Sequence, residues 1–280
     1  MLKYPSLFSE LKVGKKKLKN RICLCATVTN FAQNNRITEP WRNFLLERAR
    51  GGAAMLVTEV IAVDPEAIAQ SSTITGFNQT NEAGFRQIAD DVHEEDSLIV
   101  GQLWHPGRQQ LWHPTKSPIG VSDLPDPYSG TVPHVMKTEE VLRVAESYVN
   151  TAKRLSDCGF DGVELHGAHG YLIMQFLSPA SNNREDMFGG DLEARTLFVR
   201  KIAEGIREKC RQDFIIGLKM PADEGVPGGV CPDEAARITK RLSKTGCFDY
   251  FAYGQGNFSL SLENHVPDLS LIHISEPTRR

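Results

Sequence analysis

The chain has 280 residues, 40% of them hydrophobic, and a formal net charge of −3. That size suits one large α/β domain or two small ones, and the charge balance makes nucleic acid no obvious partner. No apolar run is long enough to cross a membrane, and Met1-Leu2-Lys3-Tyr4-Pro5 does not open a signal peptide.

The six cysteines include no CxxC pair, so a disulfide framework is not expected and a reducing, cytoplasmic setting is. The densest basic run, Lys15 to Lys19, lacks interleaved aromatics and reads as a solvated surface turn.

Short, mostly apolar runs alternate with longer amphipathic ones. Residues 21–26 read as the first strand, with Cys23 and Cys25 on one face as core fillers. A helix over 40–50 leads to a second strand at 55–59, and a helix over 84–96 to a third at 97–102. The clearest helix spans 138–158. Val141, Ala145, Tyr148, Ala152 and Leu155 form its apolar stripe, Thr138 is its expected N-cap, and Gly159 closes it.

A fourth strand follows at 162–166, a helix at 192–211, a fifth strand at 214–219, a helix at 232–245 and a sixth strand at 248–253. Pro232-Asp233-Glu234 introduces the last helix and Gly246 ends it. Such strand–helix repetition predicts an α/β fold, a (β/α)8 barrel with about six of its eight units present. A doubly wound open sheet is the rival, weakened because no glycine-rich phosphate turn follows the first strand.

In a barrel of this kind, chemistry gathers at the C-terminal ends of the strands. Those ends collect Thr27, Glu59, Gln102, His105, His166, His169, Tyr171 and Lys219. Two imidazoles and a phenol within Val163-Glu164-Leu165-His166-Gly167-Ala168-His169-Gly170-Tyr171-Leu172 can hold a polarised carbonyl oxygen and supply a proton. Gln102 both donates and accepts, which suits the edge of an amide-like heterocycle. Lys219 would stabilise a ring that becomes anionic on reduction. Two long loops, 104–136 and 170–190, have the length of functional loops. In the second, Arg184 is expected to pair with a carboxylate of Asn183-Arg184-Glu185-Asp186 and pin the loop rather than act in chemistry.

The string from Val163 to Gly190, with its His-x-x-His-x-Tyr core, Ser178-Pro179, Asn183-Arg184-x-Asp186 and Gly189-Gly190, resembles the old yellow enzyme family of NADH:flavin oxidoreductases. Weaker matches at Asn20-Arg21-Ile22, Glu47-Arg48-Ala49-Arg50 and the Gly101–Arg108 motif extend the likeness over Pro5 to Asn257.

The resemblance implies FMN and NAD(P)H as cofactors and hydride transfer by way of the flavin to an activated alkene or related small molecule. It implies that His166 and His169 bind the substrate's carbonyl oxygen and that Tyr171 donates a proton near its α-carbon. It further implies that Gln102 meets the flavin pyrimidine, that Ala26, Thr27, Val28 and Val60 line the flavin, and that Lys219 stands at the flavin N1–O2 edge. A homo-oligomer of the intact parent protein is compatible with it.

The family usually has Pro where Ala26 stands, Thr or Cys where Val28 stands, and Arg where Lys219 stands. A valine offers no side-chain hydrogen bond to the flavin, and a lysine keeps the charge without the planar fork.

On the family pattern two further strand–helix units, which carry the phosphate-binding backbone, would follow Tyr253. The chain instead ends in Ser270-Leu271-Ile272-His273-Ile274-Ser275-Glu276-Pro277-Thr278-Arg279-Arg280, which resembles a translated sequencing adapter. The expectation is therefore a barrel portion over 1–257 and a partly non-native tail over 258–280, with poor folding and weak FMN binding. A metal-dependent hydrolase using His166 and His169 as ligands, and a non-catalytic fragment, are the competing readings.

Overall fold

The computed structural model describes residues 4–110 and 116–257. The expected tail over 258–280 and residues 111–115 of the loop after Trp104 lie outside the described residues.

Two short strands, β1 (Leu11–Val13) and β2 (Lys16–Leu18), form an antiparallel hairpin. Six parallel strands then build one curled sheet: β3 (Cys23–Leu24), β4 (Met55–Ala62), β6 (Leu98–Trp104), β9 (Gly162–His166), β10 (Ile215–Asp223) and β11 (Tyr250–Gln255). The short β5 (Ile74–Thr75) pairs with the end of β4, and β7 (Ile119–Gly120) pairs with β8 (His134–Val135) in the loop after β6.

Spatial order follows chain order across the six strands, with no reversal point. That is the winding of a barrel and not of a doubly wound sheet. Between them run α1 (Glu39–Arg50), α2 (Glu82–Glu94), α3 (Thr138–Asp157), α4 (Leu172–Leu177), α5 (Leu192–Arg195), α6 (Leu197–Lys209) and α7 (Pro232–Ser243).

The longer helices α1, α2, α3, α6 and α7 bury one stripe each, while the short α4 is buried throughout. On α3 all five stripe residues, Val141, Ala145, Tyr148, Ala152 and Leu155, are buried, and Gly159 follows with φ +97°. Phe85 and Ile88 of α2, Phe198 and Ile202 of α6, and Ile238 and Leu242 of α7 complete a continuous core with Leu56, Ile99, Val163 and Ile216 of the strands. Each such buried Phe, Leu or Ile contributes roughly 1.5–3 kcal/mol.

Four expectations change. The N-cap of α3 is Lys137, whose N–H donates to the Glu140 carboxylate at 2.7 Å, while the Thr138 hydroxyl is spent on Asp186 at 2.8 Å. The helix expected over 192–211 is broken at Thr196, whose hydroxyl donates to the Leu192 carbonyl at 2.8 Å. Cys23 and Cys25 are exposed, because β3 is an edge strand paired only with β4.

The basic run is also more than a solvated turn. Lys16 bridges Asp161 (3.2 Å) and Asp213 (2.9 Å), and Lys19 donates to the Glu95 carbonyl and the Ser97 hydroxyl. The hairpin thereby seats Leu18 against Ala54, Met55 and Val100 at the N-terminal end of the sheet. Among the described residues no helix is long and apolar enough to cross a membrane, and all six cysteines are free.

Candidate active site

The opposite, C-terminal end of the sheet opens into a cavity of about 260 Å³. His166 ends β9 and is buried; His169 and Tyr171 follow in the turn. The ring centroids of His166 and His169 lie 5.2 Å apart, and those of His166 and Tyr171 5.0 Å apart, all edge to face. The turn places His169 in the left-handed region at φ +59° and Gly170 at φ +81°. That unusual backbone is held: Gln109 Nε2 donates to the His169 carbonyl at 3.3 Å, and His169 bridges to Asn257 beyond β11. Gly167 N–H donates to the Lys219 carbonyl at 2.6 Å, tying the start of the turn to β10.

Burial depresses both imidazoles, and the nearby Lys219 cation adds to it. His166 falls well below its usual pKa, helped by His169 as well, and His169 falls to about 4. Both rings are therefore neutral near pH 7, each with one N–H. The Ala168 N–H donates to His166 Nδ1 at 3.4 Å, which places the His166 proton on Nε2. Burial raises the Tyr171 hydroxyl above the ordinary phenol value and keeps it protonated. Trp104 packs edge-on to Tyr171, with ring centroids 5.3 Å apart. The site offers uncharged N–H and O–H donors aimed at one space, a donor set for oxygen that gains negative charge.

All nine residues that the resemblance assigned to substrate or flavin line this one cavity: His166, His169, Tyr171, Gln102, Lys219, Ala26, Thr27, Val28 and Val60. Lys219 makes no ion pair among the described residues. Thr27 donates its hydroxyl to the Cys25 carbonyl at 3.3 Å, and Val28 is exposed.

The sequence grouping also named Glu59 and His105. Glu59 lines the cavity, but its carboxylate is committed to Thr29. His105 does not line it. Strand alternation turns Gln102 and Trp104 inward and His105 outward, where its Nδ1 accepts from the Gly107 N–H and burial lowers its pKa to about 4.

Among the described residues, the group with metal-ligand spacing is Asp64, Glu66 and His105. It includes neither His166 nor His169, and Arg143 occupies its carboxylates, 2.8 Å from Asp64 and 3.4 Å from Glu66.

Residues that the sequence reading missed include Trp104 in the cavity wall and, just beneath it, Glu164 and Tyr250. Glu164 Oε1 accepts from Gln102 Nε2 at 2.7 Å and Oε2 from the Tyr250 hydroxyl at 3.0 Å. The signal was available: Glu164 lies two positions before His166 and therefore on the same face of β9.

Residues 6–247 match the model of the NADH:flavin oxidoreductase / NADH oxidase family. The chain belongs to this family, the old yellow enzyme group. It is 34% identical over 250 residues to the NADH oxidase of Thermoanaerobacter brockii, covering 88% of this chain and 38% of that protein. It is 34% identical to the putative 12-oxophytodienoate reductase 4 of Oryza sativa subsp. japonica, covering 97% of this chain and 68% of that one.

Its fold superposes on a 2-naphthoyl-CoA reductase complex with a TM-score of 0.86 at 25% identity, covering 98% of this chain and 44% of that chain. The chain thus spans less than half of the bacterial NADH oxidase and of the 2-naphthoyl-CoA reductase. FMN and a nicotinamide donor are the family's cofactors.

The cavity fits a flavin ring by its chemistry. Gln102 spends one N–H on Glu164 and keeps its carbonyl oxygen to offer. Lys219 brings a cation without an ion-pair partner among the described residues. A Cβ on Gly254 would stand 3.2 Å from His169 Nε2 and 3.8 Å from Lys219 Cε, so the glycine keeps the space beside both open.

Proposed function

We propose that this chain carries the substrate-binding half of an FMN-dependent, NAD(P)H-driven oxidoreductase acting on an activated alkene or a related small molecule. The single observation that carries the reading is the convergence of His166, His169 and Tyr171 with Gln102 and Lys219 on one cavity. Residues 26–28 and Val60 would hold the flavin, Gln102 its pyrimidine edge and Lys219 the N1–O2 edge. Bound FMN would supply the two-electron carrier between the nicotinamide and the substrate.

The chain's own residues do the rest. The His166 and His169 N–H groups hold the substrate's carbonyl oxygen and stabilise the charge it gains. Because both rings are neutral, they act by hydrogen bonding and not as acids. Tyr171, protonated in its buried setting, delivers the proton to the adjoining carbon. Trp104 keeps the phenol upright and shields it from water. Free cysteines fit a reducing cytoplasm, and residues 1–257 act as the barrel portion.

The test is to purify the chain, add FMN, and follow the yellow chromophore. Anaerobic NAD(P)H should bleach it, and an α,β-unsaturated ketone should restore the colour. Tyr171→Phe should bleach at an unchanged rate and recover at least tenfold more slowly. A chain that stays colourless after reconstitution would overturn the reading.

A further inference from the structure

Gln102 of the cavity lining stands in one row with Glu164, Gly217 and Tyr250, in consecutive register across four strands. Gln102 of β6 pairs with Glu164 of β9, Glu164 with Gly217 of β10, and Gly217 with Tyr250 of β11. Gly217 explains how the row is joined. A Cβ there would lie 2.1 Å from the Tyr250 ring, so only glycine lets that ring cross β10 and bring its hydroxyl to Glu164.

Glu164 and Gln102 are buried, and both carboxylate oxygens accept: Oε1 from Gln102 Nε2 at 2.7 Å, Oε2 from Tyr250 Oη at 3.0 Å. The orientation of the glutamine amide follows from this chemistry. A carboxylate can only accept, so the amide must turn its NH₂ to Glu164 and its carbonyl away. The carbonyl oxygen is then an acceptor that Gln102 presents at the cavity, with Lys219 in the next layer above: Lys219 pairs with His166, two positions along β9 from Glu164.

We propose that Glu164 is a positioning residue for the cofactor site. It fixes the orientation of the Gln102 amide with its carbonyl oxygen turned to the cavity, so that oxygen selects a heterocycle carrying N–H at that edge. In a flavin this is the imide N3–H. The inference rests on the FMN reading of the cavity and adds to it the group that sets the polarity of its pyrimidine contact.

The experiment compares binding of FMN and N3-methyl-FMN to the full chain by quenching of flavin fluorescence. The wild type should favour FMN by about tenfold or more, since the methylated ring leaves the Gln102 carbonyl buried without a donor. In Glu164→Gln the neighbouring amide can face Gln102 with either end, so Gln102 is free to turn, and the preference should fall to about threefold or less. Glu164→Met, apolar and of similar length, should behave alike and serves should the first variant not fold. Tyr250→Phe leaves the carboxylate in place and should keep the wild-type preference.

If Glu164 merely supports the barrel, its variants weaken both flavins equally and the ratio is unchanged; that result overturns the proposal. So does a wild type that binds the two flavins equally. A wild type that binds neither overturns the FMN reading and the inference with it, which separates the two failures.

Discussion

Glu59 holds Thr29 with both carboxylate oxygens: the Thr29 N–H donates to Oε2 at 2.8 Å and its hydroxyl to Oε1 at 2.7 Å. Glu59 is buried near the middle of β4, and Thr29 belongs to the segment that follows the edge strand β3. That segment, with Ala26, Thr27 and Val28, forms one wall of the cavity. β3 contributes only two residues to the sheet, so this side-chain clamp fixes the wall where ladder bonds do not.

Replacing Glu59 by Ala should therefore loosen the wall. Two charge-assisted bonds are lost and the Thr29 amide is left without its acceptor, a cost of about 2–4 kcal/mol. Glu59→Gln keeps one acceptor and should cost about half as much. Denaturant midpoints measure the loss, and faster hydrogen exchange at the Thr29 amide should accompany it. An unchanged exchange rate in Glu59→Ala would show that the wall is held by something else.

The histidine pair sets a pH dependence of known sign. His169 falls from the usual 6.5 to about 4 in the folded chain, chiefly through burial and next through Lys219. Below pH 6.5 the unfolded chain takes up a proton that the folded chain refuses. Stability is thus fully present above pH 6.5 and is lost as pH falls towards about 4. The linkage amounts to roughly 3 kcal/mol for His169, and His166 acts in the same direction. Denaturant midpoints taken across this range should fall more steeply for the wild type than for His169→Asn. An imidazole titration midpoint for His169 near 6.5 would contradict the prediction.

Much of this was legible in the sequence, and the reasons for success and failure differ. Helix α3 showed itself because a long amphipathic stripe carries its own period, and all five stripe residues are buried. The cavity residues were legible because the turn after β9 packs its chemistry into six consecutive positions. The Glu164–Gln102–Tyr250 row was not, because it exists only once four strands are in register. His105 was misplaced although the period of two was there to read: an odd number of positions after Gln102 puts it on the opposite face. Cys23 and Cys25 read as core because an edge strand has the same composition as a central one. Only the sheet order shows that β3 has a single neighbour. Periodicity was also blind to the break at Thr196, which parts α5 from α6.

Arg184 should prove structural. Its guanidinium forks onto Asp186, with Nε 2.9 Å from Oδ1 and Nη2 2.6 Å from Oδ2, while Nη1 donates to the carbonyls of Val121 (3.0 Å) and Met136 (2.7 Å). One side chain thus joins the loop after α4 to two separate points of the loop after β6, Val121 and Met136. Arg184 also holds the Asp186 carboxyl down to about 2. Arg184→Lys keeps the charge but not the fork and should cost about 2–3 kcal/mol. The Asp186 titration should move up towards the ordinary aspartate value. Flavin binding should change by less than about threefold, since Arg184 does not line the cavity. A large loss of flavin affinity with stability intact would assign this arginine to the site instead.

Gly170 offers the most local control over the histidine pair. Its φ of +81° lies where an L side chain is strained, and a Cβ would meet Gln109 Nε2 at 2.3 Å and Asn257 Oδ1 at 2.5 Å. These are the groups that hold the His169 backbone, since Gln109 Nε2 donates to its carbonyl and Asn257 bridges to it. Gly170→Ala combines backbone strain of about 1–2 kcal/mol with displacement of both neighbours. The chain relieves the clash by shifting the turn that carries His169 and Tyr171, while β9 with His166 and Gln102 of β6 stay anchored in the sheet. The expected result is a split: flavin affinity within about threefold of wild type, and flavin reoxidation by an unsaturated ketone slowed by at least tenfold. Equal losses in both would mean that the turn and the flavin pocket move as one body, and that His169 is not held independently of the cofactor site.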